Sequence, residues 1–158
     1  MRQIAIMCAA ALVSGALPAQ KLKETEVPQP VKVSFVKNFP NIKSVKWLKE
    51  SESEFEAEFK YGSLEQSANF DASGNWLVTE TEIKKSDLPL AVQAAIKNEF
   101  DGFKIEEAEK VETPEAVSYE VELEKGKVTY GVQFSKEGKV LKKEEKKEDE
   151  EGEGKDGK

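Results

Sequence analysis

The sequence of 158 residues contains no histidine and a single cysteine, Cys8. Histidine is the commonest general base near neutral pH and the commonest protein ligand of transition metals. Cys8 lies inside a short apolar segment at the N-terminus, and a chain without that segment has no thiol at all. Zinc sites, iron–sulfur sites and cysteine chemistry are therefore excluded in practice for the rest of the chain. We expect no cofactor.

Enzyme motifs and basic clusters are absent as well. The chain has no phosphate loop, dinucleotide fingerprint or nucleophile elbow. Its 31 acidic residues outnumber its 24 basic residues, and the net charge of −7 disfavours binding to nucleic acid or anionic membranes. Two carboxylates can suffice for hydrolysis, but alternate glutamates of one strand lie about 7 Å apart and form no cleft. The sequence predicts a protein that is not an enzyme and whose partner is not a nucleic acid.

Long hydrophobic runs are missing too. The longest run, 4–13, follows Arg2 and is too short to cross a membrane. Small residues follow it before the first polar positions, which is the order of regions in a secretory signal peptide. We predict a signal peptide at 1–19 with cleavage after Ala19, and cleavage after Ala16 as the alternative. The mature protein is then expected to be periplasmic or secreted, without insertion into a membrane.

The chain contains the same pattern twice. Apolar residues spaced four apart predict a helix at about 28–39 and a second helix that includes 88–100. Each has proline at its start, where a missing N–H is tolerated. A shift of 61 residues aligns the two helices and a shift of 64 aligns the strands that follow, which implies a three-residue insertion in the second copy. The aligned pairs are Val31 and Val92, Phe35 and Ile96, Phe39 and Phe100, Phe59 and Leu123, Phe70 and Phe134, and Gly74 and Gly138.

Alternating apolar and charged residues predict about four strands after each helix. In 55–61 the odd positions are apolar or aromatic and the even positions are charged, and this period of two indicates one buried and one wet face. We therefore predict an α+β fold of two tandem helix-plus-four-strand repeats, in which an antiparallel sheet carries the helices on one face. Whether the repeats share one continuous sheet stays open. The predicted strands lie at about 44–49, 53–61, 64–70 and 75–83, and at about 104–112, 118–124, 127–134 and 140–143.

The predicted domain covers 25–143. Its first repeat lies at about 25–84 and its second at about 86–143. Residues 142–158 consist only of lysine, glutamate, aspartate and glycine. Such a segment has no apolar side chain whose burial could offset the entropy of ordering. We therefore predict a disordered charged tail at 144–158.

The glutamates of the alternating strands form the predicted partner-binding surface. They lie on the wet face of the sheet, where the alternative interpretation is an ordinary solvated surface. A row of carboxylates favours a basic protein or peptide as the partner. Trp76 is added because an exposed tryptophan often anchors a binding surface, although burial in the core is the alternative. The candidate residues are Glu54, Glu56, Glu58, Glu120, Glu122, Glu124 and Trp76.

A second hypothesis is an envelope protein that binds a small ligand or calcium. Asp71, Ser73 and Asn75 offer oxygen ligands at the first, third and fifth positions of a calcium loop. Glu82 stands at position twelve, but Gly74 stands at position four, whereas the calcium pattern has glycine at position six. A hairpin turn with glycine in the left-handed conformation is the alternative interpretation.

A set of residues in a fixed order carries a resemblance to a known family. The set is Val27-Pro28, Phe35, Phe39-Pro40, Val45, Trp47, the strand from Phe55 to Phe59, Ala68-Asn69-Phe70-Asp71, Gly74, Trp76 and Leu88-Pro89. Over about 25–143 the chain resembles the PepSY-like, β-lactamase-inhibitor-like proteins that Gram-negative bacteria export. The resemblance implies two tandem repeats on one continuous sheet, a periplasmic or surface location, no enzymatic activity, and a role in binding proteins or inhibiting peptidases.

The β-lactamase inhibitor itself binds its target with the open face of its sheet and two protruding loops. In this chain the corresponding face is acidic rather than aromatic, and no local motif matches those loops. The resemblance therefore implies a binding face and assigns no contact residues.

Overall fold

Strands make up most of residues 20–146, the part of the chain that the computed structural model describes. They form one sheet in which each strand pairs antiparallel with the next strand in the sequence. With two helices, this confirms the predicted α+β class and the antiparallel sheet. The strands are β1 (Gln20–Leu22), β2 (Val45–Lys49), β3 (Glu54–Tyr61), β4 (Leu64–Asp71), β5 (Trp76–Glu82), β6 (Lys104–Glu112), β7 (Val117–Lys125), β8 (Val128–Ser135) and β9 (Val140–Lys146), and the helices are α1 (Gln29–Asn38) and α2 (Leu90–Glu99).

The sheet is continuous across the middle of the chain. Strand β5 pairs directly with β6, so that Thr79 lies opposite Glu112 and Glu82 lies opposite Glu109. Helix α2 belongs to the connection between these two strands. The question that the sequence left open is therefore answered, and β5, β6 and β7 lie side by side near the centre of the sheet.

Both ends of the sheet extend further than predicted. Strand β1 lies before the predicted start at 25, where its Leu22 pairs with Trp47 and packs against the core. Strand β9 continues to Lys146, so 144–146 belong to a strand rather than to the predicted tail. Backbone pairing with β8 does not require apolar side chains, and Lys146 is held by an ion pair with Glu122. The predicted signal peptide at 1–19 and the rest of the predicted tail lie outside the described residues.

The helices cover one face of the sheet and enclose two apolar clusters. Around α1, the ring of Phe35 lies 5.3 Å from that of Trp47 and 5.1 Å from that of Phe59, both in edge-to-face geometry. Around α2, Val92 and Ile96 belong to a cluster with residues of β6, β7 and β8. Directly paired residues point to the same side of a sheet, and the pairing from β3 to β8 puts both clusters on the same side.

Two hairpin turns approach the starts of the helices. Gly74, between β4 and β5, has a φ of +86°, and a Cβ there would lie 2.5 Å from the carbonyl oxygen of Pro30. Gly138, between β8 and β9, has a φ of +83°, and a Cβ there would lie 2.4 Å from the carbonyl oxygen of Ala91. Glycine is required at both turns because it tolerates positive φ and leaves room for the helix backbone.

Candidate binding face

The side of the sheet opposite the helices, which we call the open face, carries most of the charged residues of the strands. Along β3 and β7 these residues alternate with the apolar residues of the core, as the sequence predicts. All six candidate glutamates therefore lie on the open face, three in β3 and three in β7. One row of paired residues crosses the middle of this face and consists of Glu58, Ser67, Glu80, Val111 and Ser118.

Several outer carboxylates of the open face have partners within the protein. Lys46 forms an ion pair of 2.7 Å with Glu58. At the other end of the sheet Lys146 forms an ion pair of 2.6 Å with Glu122. The amide nitrogen of Asn69 donates a hydrogen bond to Glu54. The charge of these glutamates is therefore partly compensated by neighbours.

Three glutamates at the centre of the open face are less well satisfied. Glu109 on β6 lies directly opposite Glu120 on β7, and Glu80 lies on the neighbouring strand β5. The side chain of Glu120 is completely buried (0% exposed), and neither of its carboxyl oxygens has a hydrogen-bond partner. One carboxyl oxygen of Glu109 is also buried without a partner, whereas Glu80 accepts a bond of 3.3 Å from the hydroxyl of Ser67. We call these three residues the central glutamate cluster.

Burial and mutual repulsion favour the protonated form of this cluster. Burial, followed by repulsion from the charge of Glu80, raises the pKa of Glu109 and that of Glu120 to about 8. Burial also raises the pKa of Glu80. The nearby Lys142 and Lys146 oppose this effect by lowering the pKa of Glu120. Near neutral pH the cluster therefore holds protons that ordinary glutamates have lost.

Glu56 occupies a similar environment on β3. Burial is the main reason that its pKa is raised to about 8, and a hydrogen bond and repulsion from Glu50 add to it. Its directly paired neighbours on the open face are Leu48 and Asn69. The open face thus combines exposed ion pairs with buried carboxyl groups, and this combination can accept hydrogen bonds and positive charge.

Trp76 lies on the side of the sheet away from the glutamates. Its ring packs against the core cluster around α1, and its indole N–H donates a bond of 2.8 Å to the hydroxyl of Thr79. A bulge between β4 and β5 pairs Phe70 with Trp76 and Asn69 with Val78. This bulge places Trp76 and Val78 on opposite faces, whereas regular alternation would place them on the same face. The structure therefore separates Trp76 from the other candidate residues.

Asp71, Ser73 and Asn75 come together in the turn between β4 and β5. One carboxylate oxygen of Asp71 accepts the backbone N–H groups of Ser73 and Asn75, and the other accepts the side-chain amide of Asn75. These hydrogen bonds from Asn75 are the main reason that the pKa of Asp71 is lowered. Within residues 20–146 no three histidine, cysteine or acidic side chains are grouped so that they could hold a metal. Calcium binding stays a prediction.

Glu80 and Glu109 are members of the central cluster that the sequence did not single out. The signal was present, because Val78, Glu80 and Glu82 alternate with Thr79 and Thr81 along β5. What was missing was the pairing of β5 with β6, which brings residues of both halves together. Glu80 and Glu109 become candidate residues beside Glu120 only when the pairing of β5 with β6 is known.

Comparison with protein families gives a match over residues 53–142, more than half of the chain. The matching family is described as "Putative beta-lactamase-inhibitor-like, PepSY-like". The chain belongs to this family. Membership confirms the resemblance carried by the sequence. No curated protein gives a significant match.

Solved structures with the same fold come from species of Bacteroides. A BLIP-like protein from Bacteroides fragilis has a TM-score of 0.67 and 26% identity, over 77% of this PepSY-like chain and 90% of that one. A DUF2874 family protein from Bacteroides uniformis has a TM-score of 0.70 and 22% identity, over 75% of this chain and 88% of that one. A structure described as "putative periplasmic proteins", from Bacteroides eggerthii, has a TM-score of 0.70 and 20% identity, with the same coverage.

The helices of this PepSY-like protein are short. Both have ten residues, and among residues 20–146 no helix has the length and apolar character needed to cross a membrane. Both helices instead use their apolar sides to cover the sheet.

Proposed function

We propose that this protein is a non-catalytic exported module that binds a protein or peptide on the open face of its sheet, in the manner of an inhibitor. The observation that carries the proposal is the contrast between the two faces. One face is covered by α1 and α2 and forms the core, whereas the other has no covering element among residues 20–146 and carries the glutamates. Membership of a β-lactamase-inhibitor-like family supports a binding role.

The carboxyl groups of the open face, which can accept hydrogen bonds and positive charge, favour a basic partner. The candidate contact residues are Glu54, Glu56 and Glu58 on β3 and Glu120, Glu122 and Glu124 on β7. Complementary charge speeds association and rejects acidic competitors. The likeness to a BLIP-like protein from Bacteroides fragilis supports a protein as the partner.

The protein is further proposed to consist of two copies of one helix-plus-four-strand unit. The shifts of 61 and 64 residues in the sequence support this, as do the equivalent approaches of Gly74 to α1 and Gly138 to α2. The proposed location is the periplasm or, for a secreted protein, the outside of the cell. It is supported by the predicted signal peptide and by a similar structure described as periplasmic.

Site-directed photocrosslinking in the native cell envelope tests this function. A photoreactive p-benzoylphenylalanine replaces Ser67, at the centre of the open face, and in a matched variant replaces Val33, which is exposed on α1. We expect a discrete crosslinked protein from the Ser67 variant that is absent from the Val33 variant. Identical crosslinking from both positions, or none from Ser67, contradicts binding on the open face.

A further inference from the structure

The central glutamate cluster has an unusual deficit of partners. Three carboxyl oxygens, both from Glu120 and one from Glu109, are buried without a hydrogen-bond donor. Buried polar groups in folded proteins are nearly always paired, because an unpaired one costs about 1–3 kcal/mol. Three such oxygens on two paired residues give the cluster the capacity to accept further hydrogen bonds.

The nearby cations do not fill this deficit. Lys146 is paired with Glu122, and Lys142 is paired with Glu144 at 3.0 Å. Among the described residues, Glu80, Glu109 and Glu120 take part in no ion pair. The surrounding groups whose charges shift the pKa of Glu109 or Glu120 lie on three strands. They are Glu80 and Glu82 from β5, Glu107 from β6, and Lys142, Glu144 and Lys146 from β9.

The cluster can be approached from the open face. Glu80 and Glu109 are half-buried rather than enclosed, and Glu120 lies beside Glu109 in the next strand. A group that contacts Glu80 and Glu109 from this side lies next to Glu120.

We propose that the central glutamate cluster receives an arginine side chain of the protein partner, which donates its N–H groups to the unpaired oxygens of Glu109 and Glu120. This inference rests on the proposed function, because it assumes a partner on the open face. Guanidinium has five donors in a planar fork and is weakly hydrated, which suits a buried set of carboxylates better than the compact ammonium of lysine. The three unpaired oxygens exceed the two that a single carboxylate offers.

Arrival of the cation is coupled to loss of protons to solvent. The cluster by itself holds protons near neutral pH because the pKa values of Glu109 and Glu120 are raised to about 8. A guanidinium between the carboxyl groups stabilises their ionised form and lowers these pKa values. Binding should therefore strengthen between about pH 6 and pH 8.5, a range in which ordinary glutamates are already ionised.

Calorimetric titration of the full chain with capped tri-arginine, tri-lysine and tri-citrulline peptides tests the inference. Citrulline has nearly the shape of arginine but no charge. We expect tri-arginine to bind at least about fivefold more tightly than tri-lysine at pH 8.5, with no binding of tri-citrulline. We also expect Glu120→Gln to weaken tri-arginine binding at least about fivefold and to reduce its dependence on pH, because only Glu109 of the pair then titrates in this range.

The matched control is Glu99→Gln, which removes the same charge from an exposed position of α2, on the helix side of the sheet. Its tri-arginine affinity should stay within about twofold of the unaltered protein. Equal loss in both variants would mean general attraction to an acidic surface and would overturn the inference. Equal affinity for tri-lysine would overturn the assignment to arginine.

The outcome for the proposed function is read separately. If the Ser67 crosslink to a discrete protein persists while Glu120→Gln leaves peptide binding unchanged, the open face binds a partner but the cluster does not receive arginine. If the crosslink fails, the proposed function fails whatever the peptide result.

Discussion

Replacing Glu120 by glutamine should stabilise the protein at neutral pH and leave its stability nearly unchanged at acidic pH. Glu120 is fully buried without hydrogen-bond partners, and its pKa is raised from 4.5 to about 8. Between these two values the unfolded chain has lost a proton that the folded protein keeps. The stabilising effect of protonation is thus fully present below about pH 4.5 and is lost as pH rises toward 8. Glutamine resembles the protonated acid and does not titrate.

The size of the effect follows from the same values. For one such group, each rise of one pH unit within this window lowers the free energy of unfolding by about 1.36 kcal/mol. The rise from pH 5 to pH 7 therefore lowers it by at most about 2.7 kcal/mol. The pKa of about 8 already includes the attraction by Lys142 and Lys146. We expect Glu120→Gln to gain about 2 kcal/mol of stability at pH 7 relative to its effect at pH 5, or about 5–8 °C in Tm.

Denaturant unfolding of both proteins at the two pH values measures this difference. Comparing pH values within each variant removes any constant effect of the glutamine side chain. The control Glu124→Gln, on the same strand, should change stability by less than about 0.5 kcal/mol between pH 5 and pH 7. A free-energy difference for Glu120→Gln that is equal at both pH values would refute the reasoning, because Glu120 would then titrate like a solvated acid.

Two further predictions concern the turns. In denaturant unfolding, Gly138→Ala should destabilise the protein by about 2–4 kcal/mol, because its Cβ would lie 2.4 Å from the carbonyl oxygen of Ala91. The control Gly126→Ala should destabilise it by only about 1 kcal/mol, because nothing lies within 4 Å of its Cβ. Equal costs would show that positive φ alone matters and that the turn does not press on α2. Calcium at about 1 mM, a concentration typical of extracellular calcium modules, should leave Tm unchanged, because the carboxylate of Asp71 is already occupied by three hydrogen bonds. A calcium-dependent rise in Tm that disappears in Asp71→Asn would instead establish the alternative function.

Local patterns predicted the elements of this fold well. The helix expected at about 28–39 is observed at Gln29–Asn38, because the spacing of Val31 and Phe35 and the following Pro40 define it within the chain itself. The alternating strand 55–61 is observed within β3 for the same reason. Family resemblance was also accessible from the order of such residues.

Features that depend on neighbouring strands were not predictable in the same way. The bulge at Leu77 moves Trp76 to the core side, and the alternation of residues within β5 does not predict this bulge. The central glutamate cluster depends on the pairing of Glu109 with Glu120 and on Glu80 in the adjacent strand. Strand β9 extends through charged residues because its backbone pairs with β8, which composition alone does not indicate. Each of these features depends on how strands pair with one another, and the sequence pattern of a single strand does not specify that pairing.

The sequential order of the strands has a consequence for how the chain can fold. Within residues 20–146, only two of the eight strand pairings enclose a helix, and the other six join neighbours across short turns. Short loops cost little closure entropy and favour rapid folding. A chain that folds from its N-terminus onward can therefore add each strand to the edge formed by the one before it. At every stage of such growth only one newly formed edge strand is unpaired until the next strand adds to it. This limits the opportunity for the sheet to pair with another molecule.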